Sequence, residues 1–254
     1  GVTMKKVEMH CHILPGIDDG AEDMKQSLQM LHIAMEHEIV GAIVTPHGSA
    51  RDASRERTEK IRKLCRIFRA KAEQQFDVIF PVFPGQEILY SSDTRRLLDE
   101  GKLLTLADTR YVLVEFMPEV PYSTLFAAVR ELRMAGYVPI LAHVERYHVL
   151  REDGRIEELI HDGAKIQINY SSVGGSWYSK TTRWCRKQLE EQNVHFLSTD
   201  MHDPLHRSPD TEAAEKWMQK HLEPEYICML VHGSAREILE EKRRKKLKSD
   251  KGTR

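Results

Sequence analysis

Cysteine is scarce in this sequence. Cys11, Cys65, Cys185 and Cys228 are widely separated, form no Cys-x-x-Cys pair and suggest no disulfide framework. No apolar run approaches the roughly 20 residues of a membrane span, so membrane insertion is not expected. There is no Gly-x-Gly-x-x-Gly nucleotide turn, no internal repeat and no low-complexity linker. Charge of one sign is also missing. The net charge is -1 over 254 residues, so no global field points to nucleic acid or to a membrane surface. The N-terminus carries no signal-peptide core, and a reducing cytoplasm is the expected compartment. Gly1-Val2-Thr3, ahead of Met4, is expected to be a cloning remnant.

What is present fits one soluble α/β domain over residues 1–254, with ample length for a buried core. Its end, about 241–254, is a basic tail carrying Lys242-Arg243-Arg244-Lys245-Lys246-Leu247-Lys248. The pattern alternates throughout. Short apolar strands are expected at 7–10, 42–45, 78–83, 111–115, 138–142, 165–169 and 195–199. Helices are expected at 23–38, 54–75, 93–99, 122–135, 155–161, 178–192, 209–220, 225–231 and 234–248. In the first helix Leu28, Leu31, Met35 and Ile39 recur at helical spacing behind Asp23 as N-cap. In the second, Ile61, Leu64, Ile67 and Phe68 mark one side. Strand cores such as Val112-Leu113-Val114 are continuously apolar, as in a parallel sheet covered on both faces. The expected architecture is a barrel related to the (β/α)8 type; an open doubly wound sheet is the alternative.

The chemistry collects where the strands stop. His10 and His12 share a face at the end of the first strand, with Cys11 pointing away. On their own they would read as two surface histidines. Yet His47, Glu87, Glu115, His143, and Asp200 with His202 stand at or just past the ends of later strands. In a parallel barrel these ends converge on one rim, where active sites are built. Imidazole and carboxylate without thiolate suit Mn²⁺, Fe or Zn²⁺. The donors outnumber the needs of one ion, which points to a carboxylate bridging two ions in a hydrolytic centre. Arg146, three residues after His143, and Arg207, five after His202, supply cations for an anionic, phosphate-bearing substrate.

These segments resemble the PHP (polymerase and histidinol phosphatase) superfamily. They are His10-Cys11-His12 with Ile17-Asp18-Asp19-Gly20, Thr45-Pro46-His47, Gly85-Gln86-Glu87-Ile88, Leu113-Val114-Glu115-Phe116, Ala142-His143-Val144-Glu145-Arg146-Tyr147 and Ser198-Thr199-Asp200-Met201-His202. The likeness runs from Val7 to about Ile238. It is closest to the superfamily's bacterial protein-tyrosine phosphatases, which oppose kinases controlling capsule and exopolysaccharide synthesis. The resemblance implies a distorted (β/α)7 TIM-like barrel holding three divalent ions, Mn²⁺ first, with Fe or Zn²⁺ as alternatives. It implies one site of His10, His12, Glu87 and Asp200. A second shares Glu87 and adds Glu115 and His143; a third uses Asp19, His47 and His202. Arg146 matches the family's phosphate-binding arginine.

The implied reaction is hydrolysis of phosphotyrosine in proteins, a bacterial tyrosine kinase among them, by attack of a metal-bound hydroxide on phosphorus. The proton for the leaving group is open between a bound water, Asp200 and a rim histidine. Tyr147, Tyr170 and Trp177 are candidates for an apolar wall. Asp18 reads as a turn residue and Cys11 as structural. A small phosphomonoester such as histidinol phosphate is the alternative substrate, and a non-catalytic binding module the alternative class. No Cys-x5-Arg exists: six positions beyond the cysteines stand Ile17, Lys71, Glu191 and Ser234, which excludes a cysteine-dependent phosphatase. Homo-oligomerisation is left open, and the basic tail has no assigned role.

Overall fold

A computed structural model describes residues 4–252; Gly1-Val2-Thr3 and the last two residues of the basic tail lie outside the described residues. Strand β1 (Lys6–Glu8) leads to helix α1 (Met24–Glu36), and β2 (Ile39–Ile43) and β3 (His47–Gly48) precede α2 (Arg55–Phe76). β4 (Val82–Phe83), β5 (Glu87–Leu89) and α3 (Thr94–Asp99) follow. Next come β6 (Tyr111–Glu115), α4 (Tyr122–Met134), β7 (Val138–Leu141) and α5 (Arg155–His161). β8 (Lys165–Asn169) runs into the short α6 (Tyr170–Val173), then α7 (Lys180–Glu190) and β9 (Phe196–Ser198). α8 (Glu212–His221), α9 (Pro224–Cys228) and α10 (Ser234–Gly252) complete the order.

All strand pairs are parallel, in two sheets: β1-β2-β4 and β3-β5-β6-β7-β8-β9. The division has a local cause. Pro46 interrupts one strand between β2 and β3, and Pro84-Gly85 interrupts another between β4 and β5; proline cannot donate to the ladder. The backbone crosses both gaps, since Val44 N–H donates to Phe83 O (2.9 Å) and Glu87 N–H to Pro46 O (3.1 Å). On the far side Asp200 N–H donates to His10 O (3.0 Å) and His12 N–H to Met201 O (2.9 Å), joining the last strand to the first. With each broken strand taken as one, this is the expected distorted seven-stranded α/β barrel.

Helix starts follow the sequence closely. Asp23, Ser54 and Ser179 each accept a backbone N–H from their own first turn. Several boundaries differ from expectation. The first helix stops at Glu36 because Glu38 turns left-handed (φ 62°), and Ile39 begins β2 rather than ending the helix. The third strand is only Val82–Phe83; Ile79 is 78% exposed and outside it. On α2 the buried side is Ile61, Cys65, Phe68 and Ala72, and Ile67 faces outward: it sits about 100° from Phe68 around the helix. The seventh helix begins at Lys180, and the eighth at Glu212, beyond a loop from Pro209. The segment expected at 225–231 ends at Cys228 and passes through a π-turn, Met229–Gly233, into α10, which runs on to Gly252.

One histidine outside the site ties β8 to β9. His195 N–H donates to Ile166 O (2.9 Å), and its ring Nδ1 accepts from Ile166 N–H (3.0 Å). That acceptor must be unprotonated. Burial, then the Lys165 charge, push the imidazole down to about 4. The unfolded chain therefore takes up this proton below pH 6.5 while the folded chain does not. The contribution is complete above about pH 6.5 and falls away towards pH 4. Between pH 7 and 5 the protein is expected to lose about 1–2 kcal/mol through this group. Urea unfolding of wild type and His195→Gln at both pH values measures it; equal pH sensitivity in the two would refute it.

Candidate metal centre

The barrel rim gathers all nine sequence-predicted donors. In three groups, one donor atom per residue lies within 4.8 Å of the others: His10, His12, Glu87 and Asp200; His47, Glu87 and Glu115; and His12, Asp19, His47 and His202. His10, His12, Glu87, His143 and Asp200 are almost wholly buried, whereas Asp19 is at the open edge. His143 stands beside Glu87 and Glu115 as expected, and His47 beside Asp19, but His47 also turns to the Glu87–Glu115 pair. His143 Nε2 lies 2.9 Å from Glu87 Oε2 and 3.3 Å from Glu115 Oε2. His47 also reaches this group, with Nδ1 at 3.1 Å from Glu115 Oε1 while Nε2 stands 3.2 Å from Asp19.

Glu87 is the hub. Its Oε2 faces His10 Nε2 (3.1 Å) and His143 Nε2 (2.9 Å); its Oε1 faces His12 Nε2 (3.0 Å) and His47 Nδ1 (3.4 Å). Burial raises the Glu87 carboxyl, but the charge of His10 and the facing His12 and His143 imidazoles hold it well below the usual range. Asp200 is divided between two tasks. Its Oδ2 accepts from Arg207 Nη2 (2.9 Å), Asn169 Nδ2 (3.2 Å) and Arg146 Nη2 (3.3 Å). Its Oδ1 has no hydrogen-bond partner and stands 3.2 Å from both His10 Nε2 and His12 Nε2.

Three histidines have one ring nitrogen fixed from behind. His10 Nδ1 donates to Gln167 Oε1 (3.0 Å), His12 Nδ1 to Asp18 Oδ2 (2.8 Å) and His202 Nδ1 to Asp200 O (2.7 Å). Each Nε2 is then a lone-pair donor aimed inward, the usual arrangement behind a metal-binding imidazole. His10 Nε2 and His12 Nε2, like Asp200 Oδ1, are buried with no hydrogen-bond partner. Orphaned lone pairs of this kind, converging with carboxylates that pull the imidazole pKa values upward, fit divalent cations. His143 is pushed up to about 9, burial being outweighed by Glu115 and Glu87. The backbone is strained at the rim too: His143 (φ 34°) and Asp200 (φ 52°) are left-handed, as non-glycine residues at functional sites often are.

A family model described as capsular polysaccharide synthesis, CpsB/CapC, matches residues 6–240. The chain belongs to the CpsB/CapC family. It is 32% identical over 238 residues to the tyrosine-protein phosphatase YwqE of Bacillus subtilis, covering 90% of this chain and 89% of that protein. A crystal structure from a pair comprising YwqE of Bacillus subtilis and CpsB of Streptococcus pneumoniae, described as unique metal-dependent tyrosine phosphatases, superposes with a TM-score of 0.78. It is 28% identical and covers 88% of this chain and 90% of its own. The histidinol phosphate phosphatase of Lactococcus lactis shares the fold, at a TM-score of 0.52 and 12% identity, over 85% of this chain and 92% of its own.

Within this CpsB/CapC centre the structure adds residues that the sequence reading passed over. Asp18, taken there as a turn residue, orients His12 and also accepts from Gly20 N–H (2.9 Å) and His47 N–H (3.1 Å). Its carboxyl is held at about 2: burial opposes, but the His12 hydrogen bond and charge prevail. Gly20 is there for closeness, since a Cβ would stand 2.1 Å from His12 O. Gln167 Oε1 accepts from both His10 Nδ1 and His143 N–H (2.7 Å). Of the aromatic candidates, Tyr147 is in the core, with its hydroxyl accepting from Phe116 N–H, whereas Tyr170, though 2% exposed, lines a rim cavity with Arg146 and Arg207. Trp177 packs edge-on against Tyr178 and lines none of the rim cavities. Leu205, 82% exposed and lining two cavities beside His202 and Arg207, is an exposed apolar side chain at the rim. Cys11 is fully buried and its thiol is pushed well up, so it stays inert.

Removing the support behind one imidazole should loosen metal without touching a donor. Asp18→Ala is expected to weaken divalent-ion affinity about 10–100-fold, read by metal titration of the chelated protein. Unchanged affinity would return Asp18 to a turn role.

Proposed function

We propose that this chain is a metal-dependent protein-tyrosine phosphatase that acts in the cytoplasm as a single domain with a basic tail. Its substrate is a phosphotyrosyl protein, a bacterial tyrosine kinase of capsular or exopolysaccharide synthesis. The observation that carries the reading is the pairing of Glu87, each oxygen of which faces two imidazoles, with Asp200, whose free Oδ1 faces His10 Nε2 and His12 Nε2 while Oδ2 holds two arginines. We assign three divalent ions, Mn²⁺ first: one to His10, His12, Glu87 and Asp200; one to Glu87, Glu115 and His143; one to Asp19, His47 and His202. When bound, such ions act as Lewis acids towards phosphoryl oxygens and lower the pKa of water to near 7.

The chain's own residues do the rest. Arg146 and Arg207 each spend one N–H on Asp200 Oδ2, and their side chains are 43% and 42% exposed. The remaining guanidinium donors at the rim take phosphoryl oxygens and stabilise the charge that builds on them. Asp200 positions these arginines and is not the proton donor in this reading: burial opposes ionisation, but the His10 charge and the His12 imidazole hold its carboxyl far below the usual range. A tyrosine leaving group, with a phenol pKa of roughly 10, departs with little need of an acid. Leu205 contacts its ring. The names of the relatives favour phosphotyrosine over histidinol phosphate, since the histidinol phosphate phosphatase shares only the fold. Turnover of a phosphotyrosyl peptide should exceed that of L-histidinol phosphate by at least about tenfold in kcat/KM; the reverse preference would overturn the reading.

A further inference from the structure

Beside the metal centre lies a polar cavity of about 640 Å³ that the chemistry above does not use. It shares Arg146 and Asn169 with the centre, both bonded to Asp200, and extends away from them to Arg151, His148, Ser172 and Thr181. Arg151 is held firmly. Its Nη2 donates to Glu145 O (2.8 Å) and Thr181 Oγ1 (3.4 Å), and its guanidinium lies 4.5 Å over the Trp184 ring. Yet it makes no ion pair with any carboxylate among the described residues. A stacked, half-buried guanidinium without an anion, facing a hydroxyl-lined cavity, is preorganised for a planar carboxylate.

Glu145 holds the wall. It is 7% exposed; Oε2 accepts from Asn169 N–H (3.0 Å), and its backbone O takes the Arg151 Nη2 donor (2.8 Å). The cavity therefore offers an acidic side chain the Arg151 guanidinium, with the hydroxyls of Ser172 and Thr181 beside it. Arg146 and Arg151 line the same cavity, and an extended chain advances about 3.3–3.6 Å per residue, so such an acidic residue is close in sequence to a phosphotyrosine at Arg146. We infer that this cavity is a specificity subsite for an acidic residue flanking the phosphotyrosine of the substrate polypeptide, with Arg151 as the residue that selects it. The inference rests on the phosphotyrosine phosphatase reading above.

The test uses the full, metal-loaded chain and phosphotyrosyl peptides. In them each position from three before to three after the phosphotyrosine is in turn Glu or Gln, in an otherwise neutral sequence. Wild type should favour Glu at one or two positions by about tenfold in kcat/KM, through KM. Arg151→Met, which keeps an apolar side chain over Trp184, should bring that ratio to about one, and Arg151→Lys should restore part of it. Each ratio is taken within one preparation, so loss of folded protein cancels. Equal turnover of all peptides by wild type, or an unchanged ratio in Arg151→Met, overturns the subsite alone. Failure to hydrolyse any phosphotyrosyl peptide overturns both the subsite and the reading beneath it.

Discussion

Glu87→Gln is expected to lower kcat on a phosphotyrosyl peptide by at least about 10³-fold, equivalent to several kcal/mol of transition-state stabilisation. The substitution is nearly isosteric, so the fold should persist. What changes is the hub. One oxygen that faces His12 and His47, or the one that faces His10 and His143, becomes an amide nitrogen carrying hydrogens, which cannot act as a ligand. The negative charge shared among four imidazoles is lost as well. Metal content should therefore fall together with activity, by at least one ion per chain. Elemental analysis beside steady-state kinetics reads both. A variant with its full metal complement and a tenth or more of wild-type kcat would show that Glu87 does not bridge.

Arg146→Ala should behave differently. Its guanidinium touches the centre only through Asp200 Oδ2, where Arg207 and Asn169 remain as partners. Metal content should be unchanged, while kcat/KM falls about 10²–10³-fold, the usual cost of removing one charge-stabilising donor. Arg146→Lys should recover little. A single ammonium cannot hold the Asp200 carboxylate and a phosphoryl oxygen in the fixed fork that a guanidinium provides. Full activity in Arg146→Ala with metals retained would remove this residue from the account. Together the two variants separate holding the ions from holding the phosphoryl group.

The barrel was legible because its strands carry two independent signals. Apolar cores such as Val112-Leu113-Val114 mark strands buried on both faces, and a metal-capable residue follows at the rim. The breaks at Pro46 and Pro84-Gly85 left those signals intact, although each divides one strand into two segments. Boundaries were less legible where the backbone makes a sharp turn: the left-handed Glu38 ends α1 early, and nothing in its neighbours' hydrophobicity announces it.

The rim residues other than Asp19 could be proposed as donors for the same reason as the strands, since each stands at or just past the end of one; Asp19 entered only through the family resemblance. Their supports were not legible. Gln167 meets His10 across 157 positions, and a glutamine inside a strand gives no one-dimensional sign of that contact. Asp18 and Asp19 share one acidic turn and only the resemblance told them apart; Asp19 faces the open rim, and Asp18 holds His12 from behind. Of the aromatic wall, Tyr147 lies close to the site in sequence but is drawn into the core by packing, while Tyr170 lines the cavity beside Arg146 and Arg207. Leu205, in a loop of polar residues, carried no periodic signal to mark it.

The most direct measurement is turnover of a phosphotyrosyl peptide by the purified chain, with metal content determined on the same sample before chelation, after it, and after Mn²⁺ is returned. The account predicts more than one divalent ion per chain at the start, no turnover once the ions are removed, and recovery in step with reloading. Undiminished turnover by protein shown to be metal-free would contradict it.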